Sequence, residues 1–268
     1  MTKLFTIVKN EIDIVEEWLI YHGCMFGWQN IFIIDNYSSD GTWEKINEFK
    51  DLVNIYRESD YSKKGEYMRD LINKNCCDGE IAFPIDIDEF IVFFDNNTIT
   101  IDKDIINNYL NNLPESSLYK SNYIYPLITQ NNGYERAAHE MQCGSYCDMG
   151  DSAKSFFNTK YYKGDIDHGN HITCNNFHLT KLCLVHYHFR NLEQMKKKIF
   201  NNITGLGYQN DLIFLKKLIE INSKCAGFHH VLNQINVLEG NYSLNIHTIN
   251  NTEIDLNPLK ERIRGKWY

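Results

Sequence analysis

Short apolar runs alternate with stretches of helical spacing along the first hundred residues, and the two periods mark out the elements. Leu4 to Val8 reads as a buried strand. From Glu11 the apolar side chains fall at Ile12, Val15 and Leu19 and continue into His22 to Cys24, one face of a helix. Ile31 to Ile34 is a second strand. Ser38-Ser39-Asp40-Gly41 supplies turn residues and capping oxygens, so a helix over 42–49 follows. Leu52 to Tyr56 reads as a third strand, and Lys64 to Asn75 as a helix with Tyr67, Leu71 and Ile72 inward. Glu80 to Ile85 is a fourth strand, ended by Asp86.

This alternation predicts an α/β fold, a mostly parallel sheet flanked by helices. Such sheets bind ligands beyond the carboxyl ends of their strands. Lys9-Asn10-Glu11, Asp35-Asn36 and Asp86-Ile87-Asp88 all fall at expected carboxyl ends. The second half is less regular. A helix is expected over 102–112, a strand over 118–125, a loop-rich polar stretch over 129–155, a strand over 182–189, and helices over 192–203 and 211–222. No repeat or low-complexity linker divides the chain. The expected organisation is a catalytic domain over 1–205 with a helical C-terminal extension over 206–268 packed on it.

Composition narrows the partners. The 268 residues are 43% hydrophobic and 23% charged, which suits a sizeable core rather than long disorder. A formal net charge of -8 offers no electrostatic footprint for nucleic acid. An anionic small ligand still fits, because a metal and a few local cations reverse the sign of one pocket. No apolar stretch is long enough for a transmembrane segment. Met1-Thr2-Lys3 leads into the first strand without a signal-peptide pattern, so a soluble cytoplasmic protein is expected. The eight cysteines include no CxxC and read as buried, reduced thiols.

Asp86 and Asp88 stand two apart at a strand end. In a regular strand both side chains point the same way, and two carboxylates there repel unless a cation lies between them. A hard divalent ion accepts carboxylate oxygens and keeps positions open for phosphate and water. The other reading is a solvated acidic turn. His186 and His188, either side of Tyr187, share a face, and either one would complete a metal shell, His186 first. Each also suits a hydrogen-bonded core histidine. His168 and His171, in a glycine-containing loop, suit phosphate or sugar contacts, or a solvated loop.

Five motifs stand in order along the chain: Val8-Lys9-Asn10-Glu11; Glu17-Trp18-Leu19 with Tyr21-His22; Ile34-Asp35-Asn36-Tyr37-Ser38-Ser39-Asp40-Gly41-Thr42; Asp86-Ile87-Asp88-Glu89-Phe90; and His186-Tyr187 before a charged helix. In this the chain resembles the family-2-like and family-92 glycosyltransferases over roughly residues 3 to 200. The resemblance implies a GT-A fold, a nucleotide-diphosphate sugar donor (a UDP-sugar first) and Mn2+ or Mg2+. It implies that Asn10 and Glu11 line the nucleoside pocket and that Asp35 and Asn36 hydrogen-bond base or ribose. Related enzymes commonly carry an acidic pair there, so Asn36 departs from the pattern. Asp86 would face ribose or metal, and Asp88 would bind the metal. Lys64 and Arg69, on the helix before the metal strand, are candidates for the diphosphate or for a solvated helix face. Similar enzymes occur in large DNA viruses that build their own glycans, which the richness in Asn, Ile and Lys suits. The location would then be the host cytoplasm.

The implied reaction is transfer of a hexose or deoxyhexose to a glycan, glycoprotein or other hydroxyl acceptor. A metal would neutralise the leaving diphosphate. An inverting enzyme, the expectation here, also needs a base for the acceptor hydroxyl. Asp151 is the first candidate and Asp148 the second, with Glu140 in the same polar stretch. Two other classes stay open. A metal-dependent phosphoester hydrolase would use the same residue types but cluster more ligands around two ions. A non-catalytic glycan-binding protein would have no use for Asp86 and Asp88.

Overall fold

A computed structural model describes residues 1–126, 142–167, 169–172, 176–188, 190, 192–222, 224–225, 227–241 and 253–264. The first half runs β1 (Thr2–Val8), α1 (Val15–Phe26), β2 (Ile31–Asp35), α2 (Thr42–Asn47), β3 (Asn54–Arg57), α3 (Lys64–Asn75) and β4 (Ile81–Pro84). Then follow β5 (Glu89–Asp95), β6 (Thr98–Thr100), α4 (Lys103–Asn111), β7 (Tyr119–Pro126), β8 (Cys143–Cys147), β9 (Lys154–Asn158) and β10 (His178–His186). The last elements are α5 (Leu192–Gly205), α6 (Leu212–Ile221), α7 (Phe228–Leu238), β11 (Glu253–Asp255) and α8 (Asn257–Arg264).

The fold is α/β, with helices flanking a mixed sheet in the order β3-β2-β1-β4-β9-β7-β10-β5-β6. β3, β2, β1 and β4 are mutually parallel, as the alternating pattern requires. β9 then runs antiparallel between β4 and β7, β10 returns parallel to β7, and β5 lies antiparallel to β10. β8 adds to β7 within the stretch expected to be loop-rich, because Cys143 to Cys147 finds an open strand edge to pair with.

The strand period of two sorts β1 between the faces. Phe5 and Ile7 join Phe32 and Ile34 of β2 and Met68, Leu71 and Ile72 of α3 in one core cluster. On the other side α1 lies against β2 and β5. β6 pairs with β5 only from Phe93 onward, which leaves the edge of 89–92 needing partners. Side chains of α1 supply them. Trp18 Nε1 donates to the Glu89 carbonyl at 3.0 Å, Tyr21 Oη to the Ile91 carbonyl at 2.6 Å, and the Ile91 amide to His22 Nε2 at 3.4 Å. His22 Nδ1 donates in turn to the Trp18 carbonyl at 3.0 Å, so the ring is neutral and its tautomer is fixed. The Glu17-Trp18-Leu19…Tyr21-His22 motif therefore acts as a substitute strand that holds the start of β5.

The chain divides into two compact units. Of the described residues, those within 1–126, 142–187 and 253–264 form a sheet unit, and those within 188–241 form a helical unit. β11 pairs with β8 and α8 lies against α1, so the final segment belongs to the sheet unit. In the helical unit Ile203, Leu215, Cys225, Val231 and Ile235 form a core of their own. Among the described residues no helix is long and apolar enough to cross a membrane.

Candidate functional site

The register brings the polar ends of the strands to one edge of the sheet. Val8 lies beside Asp35, Asp35 beside Arg57, and His186 beside Glu89. At the β1–β2 end Asn10 has a left-handed backbone (φ 58°), and its Oδ1 accepts from the Ser39 amide at 2.8 Å. The Glu11 amide donates to Thr42 Oγ1 at 2.9 Å. Asp35, fully buried, accepts from the Ser38 amide and from Arg57 Nε at 3.1 Å. The Arg57 guanidinium is sandwiched between the rings of Tyr37 and Trp43, 4.4 and 4.3 Å from their centroids. Asn36 accepts from Lys9 Nζ at 3.2 Å and donates to the Glu58 carbonyl at 2.6 Å. All four candidate nucleoside residues thus stand at this edge and build the turn over 35–42.

Beyond β4 the chain leaves strand geometry. Residues 85–88 form a turn closed by the Glu89 amide on the Asp86 carbonyl at 3.1 Å, and the Asp86 amide donates to Glu89 Oε2 at 2.8 Å. Asp86 and Asp88 are therefore not neighbours on one strand face. Asp86 Oδ1 takes Lys64 Nζ at 2.7 Å and Oδ2 takes Lys154 Nζ at 2.7 Å. Lys154, with its side chain 0% exposed, also reaches the Gly169 carbonyl at 3.0 Å and Glu89 Oε1 at 3.1 Å. Burial opposes the charge on Asp86, but Lys154 and then Lys64 outweigh it and hold the carboxyl well below its usual range. Burial likewise opposes both ammonium groups, and Asp86 keeps them above theirs.

Asp88 turns instead toward the end of β10. Its Oδ2 lies 3.5 Å from His186 Nε2, and the Tyr187 amide, next in the chain, donates to the Asp88 carbonyl at 2.8 Å. Tyr123 and Tyr125 of β7 flank the His186 ring at 5.2 and 5.6 Å. His188 follows two residues on, and one ligand atom each from Asp88, His186 and His188 lie within 4.8 Å of one another. Donor atoms bound about 2.1 Å from one ion lie about 3 to 4.2 Å apart. The Asp88–His186 spacing falls within that range, so this pair has the spacing of two ligands of one divalent ion, with His188 beside it. Asp86 stands outside it, because ammonium groups occupy both of its oxygens.

Arg69, Asp148 and Asp151 are no part of the Asp88–His186–His188 group. Arg69 pairs with Asp165 at 2.5 Å and lines a cleft with Tyr162, Lys163, Gly164 and Ile166, whose lining does not include Asp86. Asp148 and Asp151 are exposed in the turn before β9, with Asp148 Oδ1 accepting from the Gly150 amide at 3.0 Å. His171 has its Nδ1 buried without a hydrogen-bond partner, and burial and then Lys154 lower its proton affinity. Glu140 and His168 lie outside the described residues. Sequence reading missed Lys154, Glu89 and Arg57. Glu89 stood in the quoted motif without a role, whereas Lys154 and Arg57 carried no local signal.

No protein-family model matches the chain, and no curated protein sequence matches it. Among solved structures it is similar to S. aureus TarS. A structure of TarS 1-349 aligns over 91% of this chain and 73% of that one, with 9% identity and a TM-score of 0.38. A second TarS structure aligns over 91% and 44%, with 10% identity and a TM-score of 0.36. Likeness at that level carries no argument for fold or activity.

Proposed function

We propose that the chain is a metal-dependent glycosyltransferase of the GT-A type, moving a sugar from a nucleotide-diphosphate donor to a glycan or other hydroxyl acceptor with inversion. The observation that carries this reading is the Asp88–His186 pair, joined by His188, at the same carboxyl-end edge of the sheet as the Asp35 turn. The reading retains the order of motifs shared with family-2-like and family-92 enzymes. Two imidazoles and one carboxylate suit Mn2+ better than Mg2+, which prefers an all-oxygen shell. When bound, the ion would supply Lewis-acid stabilisation of the leaving diphosphate.

The chain's own residues do the rest. Asp88, His186 and His188 hold the ion. Asp35, fixed by Ser38 and Arg57, orients the nucleoside together with Asn10, Glu11 and Asn36, and a UDP-sugar is the first donor to try. Asp86, pinned by two lysines and 31% exposed, offers its outward lone pairs to donor hydroxyls. Lys64 stands ready beside it for the diphosphate. Asp151 is the first choice as base for the acceptor hydroxyl and Asp148 the second. Both are exposed, in the turn just before Lys154. A two-ion phosphoester hydrolase is less favoured, because the described residues supply one cluster of metal ligands.

A panel of nucleotide-sugars tests the reading by thermal shift, with and without Mn2+. One donor should raise the melting temperature only with the ion, and Asp88→Ala should abolish that shift. No metal-dependent donor, or an unchanged response in Asp88→Ala, rejects the proposal.

A further inference from the structure

Between β9 and β10 the chain carries polar side chains that the fold itself does not use. Asn170 is fully buried and has a left-handed backbone (φ 57°). Its main chain is satisfied, the amide donating to the Asp167 carbonyl at 3.2 Å and the carbonyl accepting from the Ser155 amide at 2.7 Å. Its side chain is not. Among the described residues, Asn170 Nδ2, Asn170 Oδ1 and His171 Nδ1 are buried without a hydrogen-bond partner. Each such atom has given up the water it bonded in the unfolded chain, so three of them on adjacent residues are held at a cost to stability.

These atoms stand close to Asp86. Gly169, the residue before Asn170, gives its carbonyl to Lys154 Nζ at 3.0 Å, and the same ammonium meets Asp86 Oδ2 at 2.7 Å. The His171 ring lies edge-on to Tyr123, 6.3 Å between centroids. Burial and then the Lys154 charge keep that ring neutral, while the Ala153 carbonyl favours a proton on it. Since Nδ1 has no partner, the proton belongs on Nε2, and Nδ1 presents a lone pair.

The set prescribes its partner. Asn170 Oδ1 and His171 Nδ1 only accept, and Asn170 Nδ2 only donates. Hydroxyl groups do both, so neighbouring hydroxyls of a sugar satisfy the set. A carboxylate offers no hydrogen to the two acceptors, and Lys64 and Lys154 are already paired with Asp86 and Glu89.

We propose that Asn170 and His171 bind hydroxyls of the transferred sugar and select an uncharged hexose over a uronic acid. The sugar reaches Asn170 past the half-buried His171 ring. The inference rests on the glycosyltransferase reading and deepens it.

Titration calorimetry of the full chain with Mn2+ tests it, using UDP-glucose, UDP-galactose, UDP-glucuronate, GDP-mannose and the free nucleotides. The wild type should bind one hexose donor more tightly than its free nucleotide and more tightly than UDP-glucuronate. Asn170→Gly keeps the left-handed backbone and removes the amide. It should lose about tenfold in affinity for that donor, as two ordinary hydrogen bonds imply, and nothing for the free nucleotide. His171→Phe keeps a ring without Nδ1 and should fall in the same direction. Because Asn170→Gly discards atoms without partners, its melting temperature without ligand should hold or rise. Four results overturn the inference and leave the glycosyltransferase reading standing: unchanged donor affinity in both variants, an equal loss for the free nucleotide, UDP-glucuronate bound as tightly as the hexose donor, or a melting temperature lower by more than about 5 °C in Asn170→Gly, for then the amide serves the fold. A wild type that binds no nucleotide-sugar refutes that reading, and this inference with it.

Discussion

Lys154→Met tests the centre of the site most directly. Methionine nearly matches the length of the aliphatic stem but removes the charge and all three of its polar contacts, with Asp86 Oδ2 at 2.7 Å, the Gly169 carbonyl at 3.0 Å and Glu89 Oε1 at 3.1 Å. Asp86 keeps Lys64 and a solvent-facing side, which softens its loss. Glu89, with its side chain 1% exposed, keeps the Asp86 amide but becomes a buried carboxylate that has lost its paired cation. Removing one member of a buried ion pair costs about 3 to 5 kcal/mol, and the partial exposure of Asp86 puts the expectation near about 3. In a chain of this size that is a fall in melting temperature of about 6 to 12 °C. Urea unfolding followed by circular dichroism reads it. Lys154→Met/Glu89→Gln removes the stranded charge as well and should be less destabilised than the sum of the two single changes by about 1 kcal/mol or more. A single variant within about 1 kcal/mol of wild type, or strict additivity in the double variant, would refute the account.

Burial lowers the His22 ring to about 3 from an unfolded value of about 6.5. Between those limits the unfolded chain binds the proton and the folded one does not. Stability should therefore fall as pH drops from about 6.5 toward 3, by up to about 1.4 kcal/mol per unit from this group, and His22→Gln should flatten the slope of urea-derived stability against pH. An unchanged slope would count against a neutral buried ring. Gly65→Ala places a methyl 2.1 Å from the Ile166 carbonyl oxygen, so despite its better helix propensity the variant should lose about 1 to 3 kcal/mol in a thermal melt, and a gain would contradict the close approach of α3 to that loop. Arg57→Lys keeps the charge on Asp35 but loses the planar stack with Tyr37 and Trp43, so it should cost about 1 kcal/mol and weaken any nucleotide seen in titration calorimetry. Equal stability and affinity would remove Arg57 from the site.

The sequence by itself determined the local elements of the first half and the edge where chemistry gathers. Apolar period is a short-range signal, and Leu4 to Val8, Ile31 to Ile34 and Glu80 to Ile85 fall on β1, β2 and β4 with small shifts at their ends. The carboxyl-end positions of Asn10, Asp35 and Asp86 follow from those strands and their parallel order. Tertiary structure decided what each side chain meets. Lys154 stands 68 positions from Asp86 and Arg57 stands 22 from Asp35, and no local pattern links residues that far apart. The antiparallel insertion of β9 beside β4 delivers Lys154, and the pairing of β2 with β3 delivers Arg57. The same long-range choices separate the two aspartates. A regular strand would set Asp86 and Asp88 on one side, whereas the turn over 85–88 gives the first to two ammonium groups and the second to the histidines at the end of β10. Strand order is set by burial summed over the whole sheet, so the partners of these charges exist only once the sheet is complete.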